Sequence, residues 1–272
     1  MGLLTEYEDV QVMAIREWKQ KEPGIIKERM ASMTTSLSRQ ITRFIPKGAI
    51  RKVINVSDFT ARWFTDKGDI IRDAGVSVIS DLRTKDLELS DKIANEVHNW
   101  AVGIAVAEGA ATGVGGIFTL TVDIPTIITL ALRTIHKIGL CYGYELADRE
   151  NDKQFILCIL AISGANSMDE KISVLDILRS FNVDDGKKIS KVIAQSVADY
   201  QMSKKAAVIG IQKLATQLGI NITKRKVFQI IPVLGVLVGG SVNGWYLRDV
   251  GWAARYLFQE RWMIDNQKIV EI

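Results

Sequence analysis

The chain has 272 residues, of which 47% are hydrophobic, and a formal net charge of +4. This length allows a sizeable core in one or two domains, and a mean hydropathy of +0.11 is low for a protein with many membrane spans. Ten Lys/Arg residues against three Glu fall between Gln11 and Lys52, which suits an anionic membrane surface or a solvated helix face. No nucleic-acid motif accompanies this block, so the sequence does not predict a DNA or RNA partner.

Helical periodicity dominates the first part of the chain. We predict one or two amphipathic helices between Tyr7 and Phe44, followed by helices over residues 49–65 and 69–80. The opening residues MGLLTEYEDV lack the basic start and apolar middle of a signal peptide. We therefore expect a cytoplasmic protein without a cleaved leader.

Two apolar, glycine-rich stretches approach the length that spans a bilayer, for which about 20 residues are needed. The first covers Trp100–Val122, where Glu108 is the only charge, and the second covers Val227–Leu247, which has none. Their small residues are spaced for close helix packing. We predict an all-α, multi-helix bundle around two central apolar helical hairpins. The residues assigned to hairpin packing or membrane contact are Gly109, Gly113, Gly115, Gly116, Pro232, Gly235, Gly239, Gly240 and Gly244.

Capping signals predict where helices begin around these stretches. Ser90 is the predicted N-cap of a long helix that enters the first stretch, and Asp123 is that of the next helix. Ser167 and Glu170 have the spacing of a capping box, which predicts another helix. After the second stretch, a separate last helix is predicted over about 249–262.

Four short motifs stand out at residues 108–116, 123–125, 142–144 and 231–243. They resemble the motifs E-G-A-x-T-G-x-G-G, D-x-P, Y-G-Y and I-P-x-x-G of the EcsC family, the last of which is followed by a small-residue run and Asn. The resemblance spans about Trp100 to Arg261 and implies a helical, bacterial-type protein linked to a membrane. The family is named for a gene beside an ABC-transporter pair, and the resemblance implies no reaction.

The predicted organisation has two regions. Residues 1–80 form an amphipathic, basic helical region, and residues 81–272 form an EcsC-like helical domain. The apolar hairpins of this domain are predicted near residues 100–142 and 227–262. The sequence does not specify an oligomeric state.

A polar cluster is the candidate site. Glu108, Asp123, Arg133 and His136 lie in apolar surroundings, where a charge is costly unless it is paired. Glu108 could meet Arg133 or His136 across the first hairpin, and Asn243 lies inside the second. We interpret these residues as a ligand-binding or buried polar cluster; the alternative is a salt bridge that fixes helix register, with Asp123 as an N-cap.

Metal and thiol chemistry are not favoured by the sequence. There are only two histidines and no C-x-x-C or H-E-x-x-H motif, so no metal or other cofactor is predicted. Cys141 and Cys158 lie in apolar surroundings, which indicates buried thiols in a reducing compartment rather than a disulfide framework.

These observations favour a non-catalytic, amphitropic accessory protein at the inner face of the cell membrane. Its partner would be membrane lipid or a membrane protein such as a transporter. One alternative is a soluble helical module that binds a lipid or another hydrophobic ligand. A second is an enzyme that uses the polar cluster for acid–base chemistry. Aromatic residues placed for a membrane interface are Trp100, Trp245, Tyr246, Trp252 and Trp262.

Overall fold

The computed structural model describes residues 2–23, 66–112, 120–146, 150–182, 221 and 232–270. These ranges are helical and contain no β-strand, which confirms the predicted all-α bundle. The helix predicted over 49–65 and most of the basic block lie outside them. The helices are α1 (Glu6–Gln20), α2 (Gly68–Ala74), α3 (Leu87–Thr112), α4 (Leu120–Cys141), α5 (Glu150–Gly164), α6 (Met168–Asn182) and α7 (Pro232–Asp265), with a 3-10 turn at Ile79–Arg83.

Helices α3 and α7 lie side by side along much of their length. Residues that ascend along α3 contact residues that descend along α7, so the two helices are antiparallel. Successive contacts are four, three and eight residues apart on α3 and four, four and seven apart on α7, which keeps them on one face of each helix. The contacting pairs are Asp91–Gln259, Asn95–Arg255, His98–Gly251 and Val106–Gly244.

Helix α7 is continuous over 34 residues, so the second hairpin predicted near residues 227–262 is wrong. Each helical glycine costs roughly 1 kcal/mol relative to alanine, which is why the sequence suggested a break. In the structure Gly244 and Gly251 lie where α3 side chains approach the α7 backbone. The close packing that they permit compensates for this cost and keeps the helix intact.

Helix α4 packs against α3 with the opposite direction, and both contribute to the core. The ring of Trp100 lies near Arg133 and Lys137, while Asp91 at the start of α3 meets Tyr142 just after α4. Phe258 of α7 packs within 6.2 Å of the Tyr142 ring, which closes the core between the three helices. Other fully buried side chains include Ile128, Leu132, Ile135, Ile138, Leu247, Val250, Leu257 and Met263.

Helix α1 docks on this core near the end of α7. Thr5 and Glu8 form a capping box at its start, and Lys19 pairs with Glu260 at 2.8 Å. At its end, Lys171 of α6 donates to the carbonyl oxygens of Trp18 and Lys21. A cation is favourable at a helix C-terminus because the last carbonyl groups carry partial negative charge.

Other predicted helix boundaries have mixed outcomes. The Ser167 hydroxyl accepts from the Glu170 amide at 3.2 Å, which confirms the start of α6. Ser90 is not an N-cap, because α3 begins at Leu87. Just before this helix, the Asp86 side chain accepts a hydrogen bond from the Glu88 amide. Similarly, α4 begins at Leu120, so Asp123 lies within its first turn.

The helix predicted over 69–80 is also interrupted. Gly75 adopts φ 62°, a left-handed conformation that ends α2 after about two turns, and the 3-10 turn follows. Across the ranges that the structure describes, no helix has both the length and the hydropathy needed to cross a membrane.

Candidate functional site

The most polar part of the core lies between α3 and α7, and Asp91 is at its centre. Its side chain is 2% exposed and accepts from Tyr7 at 2.7 Å, from Tyr142, and from the Gln259 amide at 2.5 Å. These donors come from α1, the segment after α4, and α7. A buried carboxylate needs such partners, so the cluster joins four segments of the chain around one charge.

The two tyrosines of this cluster are held as neutral donors. Burial and then the Asp91 charge raise the pKa of Tyr142 well above its usual value. Burial and the hydrogen bond to Asp91 do the same for the pKa of Tyr7. Both hydroxyl groups therefore keep their protons at physiological pH and donate to the carboxylate.

His98 lies two turns beyond Asp91 on α3 and packs tightly against α7. It is 3% exposed, and a Cβ on Gly251 would overlap its ring. The ring also meets Trp252 edge-on, with centroids 5.5 Å apart. Burial and the nearby charge of Arg255 lower the pKa of His98 to about 4, so the ring is neutral at physiological pH. Although the Arg248 backbone approaches the ring, neither ring nitrogen makes a hydrogen bond of good geometry in the described part of the chain.

Arg255 lies between Asp91 and His98 along the same interface. It is 8% exposed, and its Nη1 donates to Asn95 at 2.8 Å. Its guanidinium lies 4.7 Å from the centre of the Trp252 ring. The Nε group has no hydrogen-bond partner among the described residues. We call Asp91, Asn95, His98, Arg255 and Gln259 the polar interface.

The Y-G-Y motif connects this interface to the rest of the bundle. Tyr142 donates to Asp91, while Tyr144 donates to Asp265 at 2.7 Å. Gly143 between them has φ 84°, and a Cβ there would lie 2.6 Å from the backbone nitrogen of Arg83. Only glycine fits both the conformation and the close approach. The two tyrosines of the motif therefore bind the start of α3 and the end of α7, which lie at the same end of the antiparallel pair.

Apolar aromatic side chains remain exposed on the outer surface of the α3–α7 pair. Trp245 and Trp252, 38% and 37% exposed, are seven residues apart and share a side of α7. That side borders α3, since Trp252 contacts His98 and Gly244 contacts Val106. On α3, Val106 is exposed where it meets α7, while Trp100, 52% exposed, lies on the side of α3 that borders α4, beside Arg133 and Lys137. We call Trp100, Val106, Trp245 and Trp252 the tryptophan face.

Two aromatic residues predicted for a membrane interface are instead part of the core. Tyr246 and Trp262 are both buried, so for them the prediction is wrong. The Trp262 indole donates to the Leu82 carbonyl at 3.2 Å. Position on the helix separates the two groups. Trp262 lies one turn after Phe258, which packs on Tyr142 and Phe155, whereas Trp252 contacts His98 of α3.

The residues of the predicted polar cluster occupy several places. His136 is buried in α4, and Arg133 is half-buried with its guanidinium 5.7 Å from the centre of the Trp100 ring. Trp100 precedes Glu108 by eight residues, roughly 12 Å along a helix axis. The side chains of Glu108 and Asp123 lie outside the described residues, so their pairing stays a prediction.

Asn243 and the predicted packing glycines fall partly within the described part. Asn243 is buried near the middle of α7, and its Oδ1 has no hydrogen-bond partner among the described residues. A Cβ on Gly244 would lie 2.5 Å from Val106 Cγ2, so the two helices are close at this point. Residues 113–119 lie outside the described ranges, as do the side-chain surroundings of Gly109, Pro232, Gly235, Gly239 and Gly240.

Both cysteines are free and buried. Burial raises the pKa of Cys158 to about 12, and that of Cys141 even further, so neither thiol is a reactive thiolate. Within the described residues, no group of three His, Cys, Asp or Glu side chains is arranged to hold a metal ion.

The fold and the interface define an all-α helical-bundle protein with a polar core between two long helices. The chain belongs to the EcsC protein family, whose sequence model matches residues 9–263. It is 26% identical to "Uncharacterized protein YdbA" of Bacillus subtilis (strain 168) over 96% of this chain and 94% of that one. It is also 26% identical to "Protein EcsC" of the same organism, over 69% of this chain and 71% of the relative. No solved structure matches the chain.

Proposed function

We propose that the chain is a non-catalytic, amphitropic protein that docks on the inner face of the cell membrane through the tryptophan face. The observation that carries this proposal is the exposure of Trp100, Trp245 and Trp252 on two adjacent core helices. Tryptophan is favoured at the membrane–water boundary because its ring is apolar while its N–H needs a wet partner.

Basic side chains border these tryptophans. Arg133 and Lys137 lie 5.7 and 6.0 Å from the centre of the Trp100 ring. Arg248 is exposed on α7 between Trp245 and Trp252. Long basic side chains beside aromatic rings suit an anionic lipid surface, where apolar stems sit below the charged head groups. The basic block between residues 11 and 52 would add a longer-range attraction.

An accessory role for a membrane machine, such as a transporter, is the form of this function that we favour. The polar interface supports binding rather than catalysis, since its central carboxylate already accepts three hydrogen bonds. The cysteines are protonated and buried. Docking through exposed side chains would let the protein move between the cytoplasm and the membrane.

Flotation with lipid vesicles tests the proposal. The purified full chain is mixed with vesicles of phosphatidylcholine alone or with 30 mol% phosphatidylglycerol, a composition set by the experiment, and separated on a density gradient. We expect flotation with the anionic vesicles and a clear loss in the W100S/W245S variant. Ile172→Ser is the matched control, because Ile172 is an exposed apolar residue on α6. Equal flotation of both variants, or none of the wild type, would refute docking through the tryptophan face.

A further inference from the structure

Arg255 is a buried cation without a matching anion. It is 8% exposed, and no carboxylate lies within 4 Å of it in the described part of the chain. Its one hydrogen bond goes to the neutral side chain of Asn95, and its Nε has no acceptor. Burying a charge is costly unless it is paired and hydrogen-bonded. Arg255 therefore lacks partners that would stabilise its charge.

Asp91 does not complete it by direct contact. The Asp91 carboxylate accepts from Tyr7, Tyr142 and Gln259, so its oxygens are occupied by donors from three other segments. Its charge acts on Arg255 only at longer range. The Nε–H group of Arg255 still needs an acceptor of its own.

His98 provides a second buried polar group in the same interface. Both ring nitrogens are buried, and neither makes a hydrogen bond of good geometry in the described part, although the Arg248 backbone approaches the ring. The ring is adjacent to the charges of Arg255 and Arg248, which both oppose its protonation. An anion beside His98 would reverse this effect and accept a hydrogen bond from the ring N–H.

Trp252 covers one side of these two groups. Its ring lies 4.7 Å from the Arg255 guanidinium and meets His98 edge-on, while the residue itself is exposed. Rotation of this one surface side chain would open a path to both groups. Trp252 also belongs to the tryptophan face, so the path would open toward the proposed membrane surface.

We propose that Arg255 and His98 form a binding site for a phosphate group, covered by Trp252, which on the membrane accepts the head-group phosphate of an anionic phospholipid. A phosphate offers only acceptor oxygens, which match the Arg255 Nε–H and a His98 N–H. The site itself stands on the contacts within the polar interface, whereas its assignment to a phospholipid rests on the proposed membrane association.

NMR of the histidine rings in the full chain tests the site directly. The chain has only two histidines, so a ¹³C-histidine spectrum is simple, and His136→Gln assigns the His98 signals. The probes are inorganic phosphate and dihexanoyl phosphatidylglycerol below its micelle concentration, at constant ionic strength. We expect a saturable shift of the His98 signals with the phospholipid and a rise in the His98 pKa, because a nearby anion favours the charged ring.

Variants of Arg255 then test whether this residue binds the probe. Losing a charge-assisted hydrogen bond should weaken probe binding about tenfold or more in Arg255→Gln, with partial recovery in Arg255→Lys. Arg179→Gln, at an exposed position on α6, is the control and should bind as the wild type. If Arg255→Gln does not fold, judged by circular dichroism, the wild-type titration still decides the matter.

The outcomes separate this site from the membrane proposal. Saturable shifts with the phospholipid support the head-group assignment; shifts with inorganic phosphate alone overturn it and leave a site for free phosphate. If neither probe moves the His98 signals, the site is refuted and Arg255 serves only as a long-range counter-ion of Asp91. Vesicle flotation in that last case would leave the tryptophan-face proposal intact, whereas His98 shifts without flotation would refute only the membrane proposal.

Discussion

The two ends of the α3–α7 pair are held together in different ways. At the Asp91 end, side chains from four segments converge on one carboxylate through directional hydrogen bonds. At the Val106 end, contact depends on the absence of a side chain at Gly244, and tryptophans remain exposed nearby. One helix pair therefore combines a polar anchor at one end with an apolar surface at the other.

The largest expected effect comes from removing the polar anchor. Asp91→Asn replaces an acceptor oxygen by an NH₂ group that faces other donors, and it removes the charge that acts on Arg255 at longer range. We expect the free energy of unfolding to fall by about 4 kcal/mol, as when one partner of a buried ionic network is removed. Urea denaturation measures the change. Asp176→Asn, at an exposed position on α6, is the control and should change stability by less than about 0.5 kcal/mol; similar losses in both would mean that Asp91 is not an anchor.

A pH-dependent loss should follow from His98, next to the anchor. Its pKa is about 4 in the folded chain, below the usual value of 6.5 that applies when the chain is unfolded. Between these values the unfolded state binds more protons, so stability is complete above pH 6.5 and is lost as the pH falls toward 4. The contribution is about 3 kcal/mol at most.

Thermal unfolding of His98→Asn across this pH range measures the His98 contribution. The variant should be less stable than the wild type at pH 7, but its stability should fall less steeply in acid. Carboxylates titrate in both proteins, so the difference between the two curves isolates His98. Parallel curves would contradict a neutral, buried ring.

At the middle of the pair, Gly251→Ala should destabilise the fold by up to about 2 kcal/mol. The added methyl group would overlap the ring of His98, which projects from α3 and also packs edge-on against Trp252. Overpacking of this kind costs 1–3 kcal/mol and outweighs the gain in helix propensity of about 1 kcal/mol. Chemical denaturation checks the value, and a variant as stable as the wild type would show that the helices can separate here without cost.

The smallest effect is expected at the apolar end. In Gly244→Ala the new methyl group meets only the tip of Val106, an exposed side chain that can move aside. The strain and the gain in helix propensity should nearly cancel, which leaves a change within about 1 kcal/mol. The same denaturation experiment compares it with Gly251→Ala. A larger loss at Gly244 than at Gly251 would reverse the contrast between the rigid and adaptable contacts.

Local signals in the sequence predicted part of this architecture. Helical periodicity and the Ser167–Glu170 spacing identified helices because both depend on neighbouring residues. Glycines in α7 led to the wrong hairpin, since their local cost is visible in the sequence whereas the partner helix that compensates for it is not. The approach of His98 to Gly251 joins residues far apart in the chain.

The polar interface was missed for a related reason. Asp91 follows Ser90, and a Ser-Asp pair near the start of an apolar run is typical of a cap and a first helical turn. In the structure α3 begins earlier, at Leu87. Asp91 therefore lies inside the helix, and its side chain is buried in the core. An acidic residue placed on the apolar face of α3, in line with Ala94, Ala101 and Ala105, was the signal that could have identified it.

The regular pairing of α3 with α7 also constrains the number of residues in the paired segments of the two helices. Fifteen residues separate Asp91 from Val106, and fifteen separate Gly244 from Gln259, so the outermost contacts are spaced equally on both helices. Deleting one residue between them would rotate everything beyond it by about 100° and turn the matching side chains away from each other. Evolution can therefore insert or delete residues between the helices of this bundle far more readily than within these two matched segments.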